Sequence, residues 1–232
     1  MCVRYNLLKA KATIESIADY IASQLEAPAE DTPRYNVTLS HTMPVVALKN
    51  DRPQIHPMMW GLVPHYERSK AQKRMLPNAK AETARTLFPF KEGAAKRRCL
   101  VPANGFYEWE TKGKLKLPHL FTLRNDAPFA FAGFWEPGDE NVPDSYTILT
   151  TKPNALIKPI HHRMPVILTR KTMKPWLGSA DLSDSDYRDL TQPISADEMQ
   201  SRAVNRYVNN SRHDGPQCLA PPDEEPRDLV LF

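Results

Sequence analysis

Several features common in other protein classes are missing from this sequence. It has no apolar run of about 18 residues, and no hydrophobic segment follows basic residues near the start. We therefore expect no membrane span and no secretory signal. Glycine is scarce, with 8 residues against 22 prolines. Because proline is excluded from most helix interiors and central strands, this ratio predicts a loop-rich fold that favours β-structure.

Cysteine is also rare. Cys2, Cys99 and Cys218 are odd in number, far apart in the sequence and without a CxxC pair. This pattern argues against a disulfide framework and a zinc site, and it favours a reducing compartment, the cytoplasm. The net charge of +4 permits a nucleic-acid partner, but it is equally compatible with an ordinary basic enzyme.

Composition predicts one folded unit. Of the 232 residues, 41% are hydrophobic and 25% charged, which is typical of a globular protein. We expect a single α+β domain over residues 1–212 and a mostly irregular, proline- and acid-rich tail over 213–232, whose final LVLF has the apolar character to dock on the domain. Short apolar segments bounded by turn residues predict strands of an antiparallel sheet. These segments are VVAL, PMMWGLVP, RCLVPANGFYEWE, LPHLFTL, APFAFAGFW and YTILTT.

Helices are predicted at three places. Apolar residues at helical spacing indicate an amphipathic helix over residues 12–26. A second helix starts at Thr169 and ends at Gly178, and the capping-box spacing from Ser195 to Glu198 indicates a third. The basic segment that begins at residue 67 is interpreted as a short helix or a mobile loop.

The start of the chain, MCVR, is a candidate for chemistry. Once Met1 is removed, Cys2 carries a thiol and a free α-amine on adjacent carbons, and both groups can attack one carbonyl. The alternative is that position 2 holds any small residue and the thiol is idle.

Glu108 is a candidate acid or base. In a strand, Phe106, Glu108 and Glu110 share one face, and Tyr107 and Trp109 share the other. A carboxylate among aromatic rings is desolvated, which favours its protonated form and suits it to proton transfer. The alternative is a glutamate exposed on the strand face.

His161 is the second titratable candidate, although a lone histidine is more often a satisfied core or surface residue. In an extended chain His161 and His162 point apart, so they do not chelate one metal ion together. Arg163 would share the face of His161 and meet a carboxylate or a phosphate.

Asn78, Lys80 and Glu82 alternate, and they would line one side of a cleft if the chain is extended there. The alternative is a helix start, with Asn78 as its cap and Glu82 and Thr83 in its first turn. Both interpretations are compatible.

Taken together, these segments resemble the SOS response-associated peptidase (SRAP) family. The resemblance covers about residues 1–212, with SRAVNRYVNN from Ser201 similar to the family's closing strand. Its motifs occur in the family's order: Met1-Cys2-x-Arg4; Arg34-Tyr35-Asn36-Val37; Trp60-Gly61-Leu62-Val63-Pro64; Asn78-Ala79-Lys80-Ala81-Glu82-Thr83; Arg98-Cys99-Leu100-Val101-Pro102, continued by Phe106-Tyr107-Glu108-Trp109; and His161-x-Arg163-Met164-Pro165.

The resemblance implies a bent, barrel-like sheet with peripheral helices and a covalent activity. Family members attach to abasic sites in single-stranded DNA through the residue that matches Cys2. The exposed sugar aldehyde and the α-amine form an imine, and the thiol then closes a thiazolidine. The implied activity is DNA–protein crosslinking with lyase-like character, after Met1 is removed by an aminopeptidase or by the protein itself. No metal and no cofactor are implied, and we expect a cytoplasmic monomer that joins the nucleoid when bound to DNA.

The resemblance also implies roles for residues other than Cys2. Asn78 would orient the N-terminal residue or the sugar, Glu108 would manage protons at the α-amine, and His161 would act as acid or base towards the sugar hydroxyl. Val3, Lys80 and the pair His65-Tyr66 depart from the family's usual glycine, arginine and tryptophan-rich stretch. The implied DNA-binding residues are Arg4, Asn36, Trp60, Gly61, His65, Tyr66, Lys80, Glu82, Thr83, Arg85, Thr150, Arg163 and Pro165.

Two rival functions stay open at this point. In the first, Cys2 is the nucleophile of a thiol autopeptidase or amidohydrolase and His161 is its base, which predicts turnover of a peptide in solution. In the second, the chain is a non-catalytic nucleic-acid-binding module, which predicts that Cys2→Ala leaves all DNA behaviour unchanged.

Overall fold

The computed structural model describes residues 3–26, 31–70, 73–178 and 181–223. Three of the features discussed above lie outside these ranges. They are the Met1-Cys2 start, residues 71–72 of the basic segment, and the final LVLF, whose docking stays a prediction.

Within the described residues the chain forms thirteen β-strands and five α-helices. The strands are β1 (Tyr5–Leu7), β2 (Arg34–Val37), β3 (Thr42–Lys49), β4 (Arg52–Trp60), β5 (Asn78–Lys80), β6 (Arg98–Ala103), β7 (Gly105–Lys112), β8 (Leu115–Leu123), β9 (Phe129–Glu136), β10 (Ser145–Thr151), β11 (Met164–Pro165), β12 (Ile167–Leu168) and β13 (Met199–Ala203). The α-helices are α1 (Ala10–Ile21), α2 (Ala81–Ala84), α3 (Lys91–Lys96), α4 (Arg170–Leu177) and α5 (Asp184–Leu190).

The strands form two sheets. The first contains five strands in the order β13-β8-β7-β1-β2. In the second, β10, β4, β3, β6 and β9 follow one another, and β9 also pairs with β10, so that these strands close into a ring. The predicted α+β domain with a barrel-like sheet is confirmed, as a ring rather than a regular barrel. The pairings are antiparallel, as predicted, except that β10 runs parallel to β4 and β5.

The ring is packed on both faces. Along β3, Val45 belongs to a core cluster with Tyr5 and Phe131, whereas Val46 belongs to a second cluster with Ile17 of α1. Successive side chains of a strand point to opposite faces. The unbroken apolar run VVAL therefore reflects a strand that is buried on both sides.

Two of the three predicted helices are confirmed with changed bounds, and the third is a single 3₁₀ turn. The amphipathic helix begins two residues before the predicted position 12 and ends at Ile21, because Ala22 adopts a left-handed conformation with φ of 54°. Thr169 precedes α4, and its N–H donates to Thr172 Oγ1 at 2.9 Å. Ser195 precedes only a single 3₁₀ turn, Ala196–Glu198. Among the described residues, no helix is long and apolar enough to cross a bilayer.

The segment after residue 212 begins with ordered contacts. The carboxylate of Asp214 accepts hydrogen bonds from the Arg34 guanidinium at 2.6 Å and from the Tyr35 N–H at 2.6 Å. Cys218 is fully buried in a small cluster with Tyr107. The division of the chain at residue 212 stays a prediction, and residues 213–219 begin the tail by packing on the domain.

Candidate functional site

Strand β7 places Glu108 in the interior beside a surface cleft. Its side chain is only 2% exposed, and its Oε1 has no hydrogen-bond partner among the described residues. Burial raises the pKa of Glu108 to about 7 because apolar surroundings disfavour the charged carboxylate. The interpretation as an exposed glutamate is wrong, and the carboxyl group can accept and release a proton near neutral pH.

Glu108 and His161, far apart in the sequence, meet at this cleft. Its volume is about 440 Å³, and its lining is formed by Val3, Arg4, Glu108, Trp109, Lys116, His161 and Asn209. Sequence reasoning singled out Arg4, Glu108 and His161, whereas it missed Lys116 and Asn209 as cleft residues. Asn209 accepts a hydrogen bond from Trp109 Nε1 at 2.6 Å. SRAVNRYVNN was the available signal for Asn209, and nothing in the sequence marks Lys116.

The imidazole of His161 is held by the peptide groups of Arg163. The Arg163 N–H donates to His161 Nδ1 at 3.0 Å, and the Arg163 carbonyl oxygen lies 2.9 Å from the same nitrogen. Burial lowers the pKa of His161, which favours the neutral ring. With Nδ1 as acceptor, the proton of the neutral ring is on Nε2. When the ring is protonated, Nδ1 can donate to the carbonyl, so both charge states have a partner.

The expectation that His161 and His162 point apart is wrong. The chain bends at His162, and the two rings stack with centroids 4.4 Å apart. Among the described residues, no three His, Cys, Asp or Glu side chains are grouped as a metal site.

Arg4 lies in the wall of the cleft, and hydrogen bonds from its guanidinium to neighbouring groups hold it there. Its Nη1 donates to Asn36 Oδ1 at 3.0 Å and to the Val208 carbonyl at 2.8 Å, and the guanidinium lies 5.8 Å from the centre of the Trp109 ring. Asn36 is itself fully buried and donates to the His213 carbonyl at 2.8 Å. The side chain of Asn36 therefore supports Arg4 and the C-terminal segment, and the expectation of a DNA contact from it is wrong.

Asn78 lies on β5, in the second sheet. It is half-buried on β5, opposite Ile148 of β10, and it is not among the residues that line the cleft. Both interpretations of this segment are partly realised, since residues Asn78–Lys80 are extended and α2 begins at Ala81. Lys80, not Asn78, occupies the cap position and is exposed.

Three of the predicted DNA-binding residues, Glu82, Arg85 and Arg163, form ion pairs within the described part of the protein. Arg163 donates to Glu82 Oε1 at 2.7 Å and Oε2 at 2.8 Å, so the carboxylate is the partner that it meets. Arg85 pairs with Asp184 at 3.1 Å. Thr83 is exposed without such a pair.

Four further predicted DNA-binding residues are buried, namely Trp60, Gly61, Thr150 and Pro165. The Trp60 ring is 0% exposed, packs edge-on to Tyr5 at 5.2 Å and donates through Nε1 to the Pro77 carbonyl at 3.0 Å. The ring of Trp60 does not provide the implied DNA contact, because β4 directs it into the core beside Met58. Thr150 on β10 and Pro165 on β11 are buried as well, and DNA contacts of these two residues and of Gly61 stay predictions.

His65, Tyr66 and Phe88 form an exposed aromatic cluster. Tyr66 stacks on Phe88 with centroids 5.0 Å apart, and His65 meets the Phe88 ring edge-on at 6.0 Å. Phe88 is 65% exposed, the largest fraction among the exposed large hydrophobic residues that the structure describes. Sequence reasoning missed Phe88, although an aromatic residue between two basic segments is a usable signal.

Comparisons with known proteins agree with this architecture. Residues 1–211 match the family described as SOS response associated peptidase (SRAP). The abasic site processing protein YoqW of Bacillus subtilis (strain 168) is 34% identical over 224 residues, covering 94% of this chain and 99% of the relative. The abasic site processing protein HMCES of Gallus gallus is 29% identical over 191 residues, which covers 71% of this chain and 56% of the relative. A crystal structure of a protein from Bacteroides thetaiotaomicron aligns with a TM-score of 0.79 at 26% identity, covering 95% of this chain and 99% of that one.

Proposed function

Since this chain belongs to the SRAP family, we propose that it processes abasic sites in single-stranded DNA by covalent attachment through Cys2. One observation carries the proposal: Val3, Glu108 and His161 line the same cleft. Cys2 is bonded directly to Val3. Relatives named abasic site processing proteins, which match almost the whole chain, support the choice of substrate.

The chemistry proposed for the cleft needs only an amine, a thiol and proton transfer. Hydrolysis of the Met1–Cys2 peptide bond frees the α-amine, which attacks the aldehyde of the ring-opened sugar. Loss of one water gives an imine, and the thiol adds to the imine carbon to close the thiazolidine. Glu108 takes the proton from the ammonium group and returns one to the departing hydroxyl. His161, which carries its proton on Nε2, acts as acid or base towards the sugar hydroxyl during ring opening.

The charges at the cleft suit a phosphate backbone. Arg4 and Lys116 contribute two cations to the lining, and Glu108 near its raised pKa contributes at most one negative charge. Lys80 at the end of β5 is a further exposed cation. Binding to intact single-stranded DNA is therefore expected to weaken as salt concentration rises.

The test uses protein whose N-terminus has been verified by intact mass. It is mixed with single-stranded DNA that carries one abasic site, and the products are separated on a denaturing gel. A shifted band is expected for Met1-free protein, and no band for Cys2→Ala or for protein that retains Met1. Correctly processed protein that gives no band would contradict the proposal, and peptide turnover by the same sample would favour the thiol peptidase.

Removal of the Phe88 ring is expected to weaken DNA binding. The exposed Phe88 and Tyr66 rings offer a surface on which an unpaired base can stack, and such stacking contributes about 1–3 kcal/mol per base. Phe88→Ala is thus expected to raise the dissociation constant for single-stranded DNA about 5- to 150-fold. Fluorescence anisotropy measures the change, with the exposed Leu115→Ala as a control that should bind like the unmodified protein. Unchanged binding by Phe88→Ala would exclude the aromatic cluster from the DNA path.

A further inference from the structure

Glu82 is joined to His161 by a short chain of contacts that runs through Arg163. Both carboxylate oxygens of Glu82 accept from the Arg163 guanidinium, at 2.7 and 2.8 Å. Two parallel hydrogen bonds fix the plane of a guanidinium as well as its position. This pair links the start of α2 to the loop that carries His161.

The same guanidinium is also tied to the sheet. Arg163 Nη2 donates to the Thr150 carbonyl at 2.5 Å, and Thr150 lies opposite Pro165 where β10 pairs with the two-residue strand β11. The Arg163 side chain is only 13% exposed, compared with 50% for Glu82. Arg163 is therefore held from two sides, by Glu82 on α2 and by Thr150 on β10.

The main chain of Arg163 in turn sets the orientation of the His161 ring. Its N–H and its carbonyl oxygen lie 3.0 and 2.9 Å from His161 Nδ1. Residues 161–163 precede β11 and belong to no helix or strand. A side-chain anchor at Arg163 therefore restrains the peptide groups that hold the imidazole.

We propose that Glu82 is a positioning residue that acts through Arg163 to hold His161 with Nε2 aimed into the cleft. This inference rests on the proposed function of His161, and it replaces the expected contact of Glu82 with DNA. A merely stabilising surface pair would have little effect on either structure or chemistry. A positioning pair changes the tautomer of His161 and the rate of the reaction that His161 assists.

The test compares Glu82→Gln with Glu92→Gln. Glu92 accepts from Arg97 at 2.9 Å with side-chain exposures of 61% and 16%, so it forms a similarly exposed ion pair whose residues do not line the cleft. Protein with ¹⁵N-labelled histidine is examined by NMR, and the His161 signals are identified by their loss in His161→Ala. The ring nitrogens of His161 are expected to report one tautomer in the unmodified protein and in Glu92→Gln, and a mixture in Glu82→Gln. Glu82→Asp, which keeps the charge but shortens the side chain, is expected to be intermediate.

Reaction rates provide the second readout. Glu82→Gln is expected to slow crosslinking about tenfold, because a small misplacement of a catalytic group is costly. It should slow His161→Ala no further, since the effect passes through His161. Unchanged His161 signals in Glu82→Gln would overturn the inference even when the unmodified protein crosslinks. Failure of the unmodified protein to crosslink would instead overturn the proposed function, and the NMR comparison would still decide the placement of His161.

Discussion

Glu108→Gln is expected to slow crosslinking by about 100-fold or more, because proton transfer by a positioned side chain contributes about 10²–10⁴-fold. Glutamine preserves the shape of Glu108 but neither accepts nor releases a proton at neutral pH. The variant must be assayed after Met1 has been removed by an aminopeptidase. Loss of self-processing then does not obscure the loss of imine formation.

The pH profile separates Glu108 from the α-amine. In the unmodified protein the rate is expected to rise through about pH 7, where the Glu108 carboxyl with its raised pKa ionises. In Glu108→Gln the crosslinking rate should instead rise with pH around the pKa of the α-amine, about 7.7–8.0. Glu110→Gln is the matched control, since Glu110 lies two residues along the same strand and is partly exposed. A full rate for Glu108→Gln would exclude Glu108 from the chemistry.

Stability provides an independent check on Glu108. Its pKa is raised on folding from 4.5 to about 7. The contribution of the neutral carboxyl to stability is thus fully present below pH 4.5 and is lost as pH rises through 7. Relative to the unmodified protein, Glu108→Gln should gain about 3 kcal/mol in unfolding free energy between pH 4 and pH 8. Urea unfolding at the two pH values measures this gain, and a variant that gains nothing would show that burial does not shift the Glu108 titration.

Trp60→Ala is expected to lower the free energy of unfolding by about 3–5 kcal/mol, the cost of removing a large buried ring. Trp60 is fully buried between Tyr5 and Tyr146, and its Nε1 donates to the Pro77 carbonyl. Truncation leaves a cavity and an unpaired carbonyl next to β5. The effect on DNA binding should be small as long as the protein remains folded.

The matched variant for this prediction is Phe88→Ala, which should weaken DNA binding while leaving stability nearly unchanged. Its ring is exposed, so its removal should change the unfolding free energy by about 0.5 kcal/mol or less. Urea unfolding and fluorescence anisotropy are measured on both variants at a temperature where both are folded. Weakened DNA binding by folded Trp60→Ala, without a loss of stability, would return Trp60 to the DNA path.

Local patterns predicted much of the fold because they depend on neighbouring residues. Helical spacing located α1, and the polar residue Thr169 located the start of α4. The closed ring was not derivable in the same way, since it depends on the parallel pairing of β10 with β4. That pairing joins segments far apart in the chain and leaves no periodic signal.

The features of the candidate site likewise fall into those that local sequence predicts and those that depend on long-range contacts. Alternation along β7 suggested a desolvated Glu108, and the structure confirms its burial. Motif position alone could not say whether Trp60 faces the core or the solvent. The sequence also could not identify the partner of Arg163, because Glu82 lies 81 residues away and the sequence fits a carboxylate or a phosphate partner equally well. The direction of individual side chains and the ion pairs between distant residues therefore become known only from the folded structure.

The most direct test of the central claim is the intact mass of the crosslinked product, followed by mapping of the modified peptide. We expect the summed mass of Met1-free protein and abasic oligonucleotide less one water, with the modification confined to Cys2. The adduct should persist without a reducing agent, because a thiazolidine, unlike an imine, needs no reduction to be stable. A product attached at a lysine, or one that appears only after borohydride treatment, would exclude covalent attachment through a Cys2 thiazolidine.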